Sequence, residues 1–271
     1  MSNRISMPRL GLGTWPLKGD EARDTVALAL QLGYRHIDTA AMYDNEEAVG
    51  VGLQCSGVPR KEVFVTTKIW HDQLAPDAMR RATASSLGKL QLDNVDLLLI
   101  HWPSTNATWN MGASLQTLLE IQQQGWTRHI GVANFPVAML QQAWGILGEA
   151  LKVNQVEYHV GLQQQALLQF TQSHQMVLTA YCPLARGGFN QHPVVLALAA
   201  KHQVQPAQIV LAWLFNQEGV AAIPKASSEA HLLANLQAAQ LPLDGGDMVQ
   251  LSALANQQRL VNPDFAPLWD V

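Results

Sequence analysis

Four residues of this chain carry side chains that could together deliver a proton: Asp38, Tyr43, Lys68 and His101. A tyrosine, with a pKa of about 10, holds its proton too tightly to be an ideal acid at neutral pH, and a neighbouring ammonium lowers that pKa. A carboxylate beside the lysine would keep the lysine charged, and a histidine could donate to a carbonyl oxygen. Together, the four predict proton donation to an oxygen that becomes negative as hydride reaches the adjacent carbon. Spacing alone leaves a second interpretation open, a structural ion pair beside a core histidine.

The elements that must bring these residues together are short apolar runs, most of them nearly unbroken. Such runs are typical of strands buried on both faces. The eight runs span residues 9–14, 34–38, 63–68, 95–101, 129–134, 153–158, 176–181 and 220–225. Amphipathic stretches predict helices over 20–32, 77–90, 114–124, 137–147, 164–173 and 206–216, an added helix over 193–202, and a C-terminal helical extension over 244–260.

Eight alternating units predict an α/β fold, a (β/α)8 TIM barrel that forms one domain over residues 1–271. The rival architecture is an open doubly wound sheet. In a barrel the carboxyl ends of the strands meet at the mouth where active sites lie. Nearly every run ends there in a polar or aromatic residue: Thr14, Asp38, Lys68, His101, Asn134, Gln155 with Glu157, Tyr181 and Lys225.

Composition narrows the classes of partner. Charged residues make up 14% of the 271 residues and the net charge is −4, without a long basic run, so we expect neither nucleic acid nor an anionic membrane as a partner. Cys55 and Cys182 have neither metal-site nor disulfide-framework spacing, so no metal is predicted. The chain shows no signal-peptide pattern and no run of 18 apolar residues, and we expect a cytoplasmic monomer.

The sequence resembles the aldo-keto reductases. GYRHIDTAAMYDNEEAVG, TTKIW, LLIHWP, IGVANF, VNQVEYH, AYCPLARG and IPKASS are similar to successive signatures of that family and stand in the same order. The resemblance runs from LGLGT to RLVNP and so covers almost the whole chain. Within the family, the closing RLVNPDFAPLWD and the short segment 102–111 are most similar to the B type of bacterial 2,5-diketo-D-gluconate reductases, which resemble methylglyoxal reductases.

The resemblance implies NADPH-dependent reduction of small aldehydes and ketones, such as methylglyoxal and 2,5-diketo-D-gluconate. It implies that Tyr43 is the general acid, that Asp38 and Lys68 tune it, and that His101 orients the carbonyl. The implied cofactor-binding residues are Thr14, Asp38, Asn134, Gln155, Tyr181, Leu184, Arg186, Gly187, Lys225, Ser227, His231 and Asn235. The implied substrate-pocket residues are Trp15, Trp70, His101 and Trp102, and core packing is the other interpretation of the tryptophans.

Three positions depart from the family pattern. Ala133 and Ala226 stand where serines are usual, and His231 stands where an arginine often binds the adenine and the 2′-phosphate. Lys225 is retained, so NADPH remains the expected cofactor, with NADH weaker.

Two other functions fit the sequence less well. A metal-dependent barrel hydrolase would need several His and Asp ligands at the mouth, where only His101 and Asp38 stand and Lys68 would repel a cation. A cofactor-binding regulator without turnover would not need the four catalytic side chains.

Overall fold

The backbone of the chain forms a closed barrel. The computed structural model describes residues 5–270. Its eight parallel strands follow one another in chain order around the sheet: β1 (Leu12–Gly13), β2 (His36–Asp38), β3 (Phe64–Ile69), β4 (Val95–Ile100), β5 (Thr127–Ala133), β6 (Leu151–Glu157), β7 (Val177–Tyr181) and β8 (Val220–Ala222).

The first and last strands join, so the sheet is a barrel and not an open doubly wound sheet. Leu10 pairs in parallel with Ala222, Gly11 N donates to Ala222 O at 2.9 Å, and Gly13 N donates to Pro224 O at 3.2 Å. The (β/α)8 prediction is therefore confirmed, and each of the eight apolar runs overlaps a strand, although β3, β5 and β6 extend one or two residues beyond the predicted runs.

Ten helices cover the described part of the chain. They are α1 (Gly19–Gln31), α2 (Glu46–Cys55), α3 (Pro76–Leu90), α4 (Met111–Gln123), α5 (Val137–Leu147), α6 (Gln165–Ser173), α7 (Pro193–His202), α8 (Pro206–Phe215), α9 (Glu229–Ala238) and α10 (Gly245–Ser252). None of the helices within residues 5–270 is long and apolar enough to span a membrane.

Three helices differ from the sequence prediction. The helices α2 and α9 were not predicted, and the C-terminal helix predicted over 244–260 ends at Ser252. Beyond α10 the backbone donors find acceptors on the barrel instead of four residues back: Asn256 N and Gln257 N both donate to Gly161 O. The rest of the predicted extension is therefore an irregular segment.

The core has two parts. Most apolar side chains lie between the sheet and the helices, while a smaller cluster that includes Phe64, Leu97 and Val153 lies apart from them. Residues two apart along a strand share a face. One face of β6 therefore carries Val153, Gln155 and Glu157. This face is apolar at Val153 and polar at the two residues nearer the mouth.

Candidate active site

Lys68 is the centre of the hydrogen-bonded group at the mouth. Its ammonium donates to Asp38 Oδ1 at 2.5 Å, to Thr39 O at 2.8 Å and to Tyr43 Oη at 3.2 Å. These acceptors use all three of its donors. Lys68 and Asp38 are each only 1% exposed, so the pair is held in fixed geometry with little solvent. The structure thus brings together the groups that the sequence placed on neighbouring strands.

Tyr43 is held by the short loop that follows β2. A 3-10 turn over Ala41–Tyr43 ends at Asp44, whose φ of 50° reverses the chain. Lys18 Nζ donates to Tyr43 O at 2.6 Å and anchors this turn from outside.

Beneath that turn, Asn45 ties the β2 loop to the β1 loop. Asn45 Nδ2 donates to Thr14 O at 3.1 Å and to Leu17 O at 3.0 Å, and Asn45 Oδ1 accepts from Thr39 Oγ1 at 2.7 Å. Lys18 and Asn45 were not predicted from the sequence, because backbone contacts of this kind carry no spacing signal.

The pKa of Tyr43 corrects one expectation. Burial raises this pKa, and although Lys68 lowers it in part, the net direction is upward from the ordinary value of 10.0. Burial likewise opposes the charge on Lys68, but Asp38 and Tyr43 raise the pKa of Lys68 above its usual value. At neutral pH the arrangement therefore holds a protonated phenol beside a charged ammonium.

His101 closes the site on the side of β4. Its ring lies edge-on to Tyr43, with centroids 5.5 Å apart, and edge-on to Trp70, with centroids 5.0 Å apart. Burial, with the nearby charges of Lys68 and His71, holds the pKa of His101 well below its usual value, so the ring is neutral at pH 7. Its Nδ1 is buried with no hydrogen-bond partner among the described residues. Since an unpaired buried N–H is costly, the proton is best placed on Nε2.

These groups border a cavity of about 830 Å³ at the barrel mouth. Most of the predicted site residues line it: Thr14, Trp15, Asp38, Tyr43, Trp70, His101, Trp102, Asn134, Gln155, Tyr181, Leu184, Arg186, Gly187 and Lys225. Lys68 lies behind Asp38 and Tyr43. Ser227, His231 and Asn235 do not line the cavity.

Two side-chain amides lie next to each other on β5 and β6. Gln155 Nε2 donates to Asp38 Oδ2 at 2.8 Å, which leaves its carbonyl oxygen available. Asn134 Nδ2 donates to His101 O at 2.9 Å, and Asn134 Oδ1 accepts from Tyr181 Oη at 2.8 Å. Asn134 has a φ of 63°, a conformation that asparagine tolerates better than most residues. The pair offers amide donors and acceptors to a planar polar ligand such as a carboxamide.

The loop after β7 has an unusual backbone. Cys182, Ala185, Arg186 and Gly187 all have positive φ, at 48°, 47°, 52° and 83°. Such angles cost about 1–2 kcal/mol for a residue with a Cβ, so they persist only where the surroundings impose them. All four residues line the cavity or are packed beside it, and they form one of its walls.

The far rim of the cavity runs from Lys225 into α9. Lys225, Ser227 and His231 are exposed, and Ser228 caps α9 by accepting from His231 N at 3.3 Å. Asn235 is buried, and its Nδ2 has no hydrogen-bond partner among the described residues. A helix N-terminus beside an exposed lysine is a favourable place for an anion.

Part of the cavity wall was not predicted. Residues 259–270, here named the C-terminal strap, cross the mouth, and Leu260, Val261, Asn262, Pro263 and Phe265 line the cavity. Phe265 lies edge-on to Trp70 and to Trp102, with centroids 5.6 Å away in both cases. Cys182 also lines the cavity, and burial raises the pKa of its thiol. Met42 and Pro183 add to a wall that is largely apolar.

Within residues 5–270 there is no group of three His, Cys, Asp or Glu side chains placed to hold a metal ion.

Comparison with known proteins gives one consistent result. Residues 9–256 match the model of the Aldo/keto reductase family. The chain is 42% identical to methylglyoxal reductase DkgB of Escherichia coli O157:H7 over 268 residues, 98% of this chain and 100% of that protein. It is 37% identical to glyoxal reductase of Bacillus subtilis (strain 168), covering 97% of this chain and 95% of that one. A crystal structure described provisionally as a 2,5-diketo-D-gluconic acid reductase B superposes with a TM-score of 0.96 at 38% identity, covering 100% and 96% of the two chains.

Proposed function

This chain belongs to the aldo/keto reductase family, as its motifs predict, and we propose that it is an NADPH-dependent reductase of small aldehydes and ketones with Tyr43 as the proton donor. The observation that carries the proposal is the bonding of Lys68 to both Asp38 and Tyr43 behind a cavity that admits a ligand.

The proton donor follows from the direction of these hydrogen bonds. Tyr43 Oη accepts from Lys68, so its own proton is free to be donated into the cavity. The raised pKa of Tyr43 keeps that proton in place at neutral pH, and the ammonium stabilises the tyrosinate once the proton has left. His101, neutral and with Nε2–H as its donor, orients the carbonyl oxygen beside Tyr43.

The cofactor proposal rests on the donors that surround the cavity. Asn134 and Gln155 offer amide groups suited to a carboxamide, and Tyr181 beside them offers a ring face for a flat heterocycle. Arg186 and Lys225 supply cations for phosphates. The buried Asn235 Nδ2, which has no hydrogen-bond partner within geometric limits among the described residues, fits an adenine contact. A bound NADPH would supply the hydride, while the chain orients the carbonyl and delivers the proton.

The substrates that we propose are small carbonyls, with methylglyoxal and 2,5-diketo-D-gluconate as candidates because of the relatives named above. A carbonyl in this cavity would be surrounded largely by aromatic side chains, those of Trp15, Trp70, Trp102 and Phe265. Such surroundings also suit aromatic aldehydes. Neither the strap nor the short 103–111 segment forms a wall long enough to contact a steroid. We propose that the protein acts as a monomer.

The experiment that tests the proposal is steady-state oxidation of NADPH, followed at 340 nm, with each aldehyde in turn and with the alcohol product identified. We expect turnover of at least one small carbonyl, with NADPH preferred over NADH. Tight NADPH binding without turnover of any carbonyl would instead support a cofactor-binding regulator.

A further inference from the structure

Glu157 is a buried carboxylate in the barrel mouth that the proposed chemistry does not use. It ends β6, two residues beyond Gln155, and none of its side chain is exposed. It does not line the cavity. A buried carboxylate is costly unless its oxygens accept hydrogen bonds, so its partners identify what it is there to hold.

Those partners lie in the C-terminal strap. Glu157 Oε1 accepts from Leu260 N at 2.8 Å, and Glu157 Oε2 accepts from Val261 N at 2.9 Å. Two consecutive amides of an irregular segment are therefore held by one rigid side chain on a strand. Hydrogen bonds to a charged acceptor are about twice as strong as neutral ones.

His159 gives this carboxylate a third donor. Its Nδ1 accepts from Gly161 N at 3.2 Å and Leu162 N at 3.1 Å, so the proton of the neutral ring lies on Nε2. Nε2 is 3.0 Å from Glu157 Oε1 and donates to it. The carboxylate is thus held from the barrel side by His159 and from the other side by the strap amides.

The strap amides that Glu157 holds belong to residues that form the cavity wall. Leu260 and Val261 line the cavity themselves, and Phe265 further along reaches Trp70 and Trp102. The far end of the strap is fastened separately, because the Asp270 carboxylate accepts from Val137 N at 2.9 Å. Glu157 therefore holds the strap at two residues that themselves line the cavity.

From these contacts we infer that Glu157 is a positioning residue that sets the affinity for carbonyl substrates large enough to reach the strap. It touches neither substrate nor cofactor and acts through the backbone of Leu260 and Val261. The inference rests on the proposed function, because it concerns the substrates of that same site.

The test compares Glu157→Gln with Glu120→Gln, whose carboxylate pairs with Arg80 away from the mouth. A glutamine keeps the size but turns an N–H donor towards one of the strap amides. Kinetic constants would be measured with NADPH for methylglyoxal, a three-carbon carbonyl, and for 4-nitrobenzaldehyde, a larger aromatic aldehyde. Hydrogen exchange of the strap amides would be measured in parallel by mass spectrometry.

For Glu157→Gln we expect KM for 4-nitrobenzaldehyde to rise about tenfold while KM for methylglyoxal stays within about twofold. The strap amides should exchange faster, and Glu120→Gln should match the wild type in every measurement. Equal losses on both aldehydes, or unchanged kinetics with unchanged exchange, would overturn the inference. If the wild type reduces neither aldehyde, the proposed function fails, while exchange at 260 and 261 still decides whether Glu157 holds the strap.

A second variant keeps the inference testable if Glu157→Gln does not fold. Val261→Pro leaves Glu157 in place and removes the amide that donates to Oε2. Like Glu157→Gln, it should raise KM for 4-nitrobenzaldehyde. A folded Val261→Pro with wild-type KM for both aldehydes would contradict the positioning role.

Discussion

At the scale of single residues, the site depends on opposed effects at Lys68 and Tyr43. Burial disfavours both charged forms, so a buried ammonium needs its three acceptors and the phenol keeps its proton. The sequence pattern predicted the contact between the two residues but not the net direction of the Tyr43 pKa, because the degree of burial is not visible in the spacing. A protonated phenol is the state that a proton donor needs.

The pKa directions predict the pH profile of reduction. His101 is already neutral, because its pKa lies well below 6.5, so no activity should be lost by its titration as the pH falls to about 6. The acid form of Tyr43 is present below its raised pKa and is lost only as the pH rises through it. With NADPH saturating, we expect kcat/KM for methylglyoxal to be flat from about pH 6 to about pH 9. A bell-shaped pH profile of kcat/KM, centred near neutral pH, would show that another group delivers the proton.

Under the proposed function, the preference for NADPH over NADH also depends on individual side chains. A 2′-phosphate carries close to two negative charges. Lys225 and His231 are both exposed near the start of α9, and only the lysine carries a permanent charge there. We expect Lys225→Ala to weaken NADPH binding about tenfold with NADH binding unchanged, and His231→Arg to tighten NADPH selectively. Dissociation constants for both cofactors, from fluorescence titration, measure this.

The matched control is Lys61→Ala, which removes an exposed lysine just before β3, at the opposite end of the barrel. Its cofactor affinities should equal those of the wild type. An unchanged NADPH-to-NADH ratio in Lys225→Ala would show that the phosphate site lies elsewhere.

At the scale of elements, the strands could be predicted and some of the helices could not. Buried parallel strands can be recognised in a sequence because they are nearly continuous apolar runs. Helix α2 was not predicted because Gly50 and Gly52 lower the helix propensity of its sequence. The packing requires both, since an added Cβ would lie 2.5 Å from Leu90 O at Gly50 and 2.6 Å from Arg23 O at Gly52. The strap was missed because its anchor, Glu157, is more than a hundred residues away along the chain.

Barrel closure can be tested through a glycine of the first strand. A Cβ on Gly13 would lie 2.5 Å from Ile223 O, so Gly13→Ala should push β1 away from the chain after β8. We expect a loss of about 1–3 kcal/mol in the free energy of unfolding. Gly145→Ala, in the last turn of α5 with no atom within 4 Å of an added Cβ, should gain up to about 1 kcal/mol. Urea denaturation measures both, and equal stability of the two variants would contradict the closure described here.

At the scale of the whole molecule, a closed barrel brings residues from all eight strands or strand ends to one mouth. The order β1 to β8 places Asp38, Lys68 and His101 on consecutive strands, so a catalytic group assembles without any long-range loop. The strap and the β7 loop both contribute residues to the cavity wall. The motifs predicted the Asp38, Tyr43, Lys68 and His101 group and the tryptophans of the wall, while the part of the wall formed by the strap was not predicted.

The central claim is that Tyr43 protonates the carbonyl oxygen, and the substitution Tyr43→Phe tests it most directly. The variant keeps the ring that contacts Trp15 and His101 and removes only the hydroxyl. The measurement is kcat for methylglyoxal with NADPH, together with the dissociation constant of NADPH. We predict that kcat falls by about 10²–10⁴-fold while NADPH binding stays as in the wild type. A kcat close to that of the wild type, with NADPH binding retained, would contradict the account.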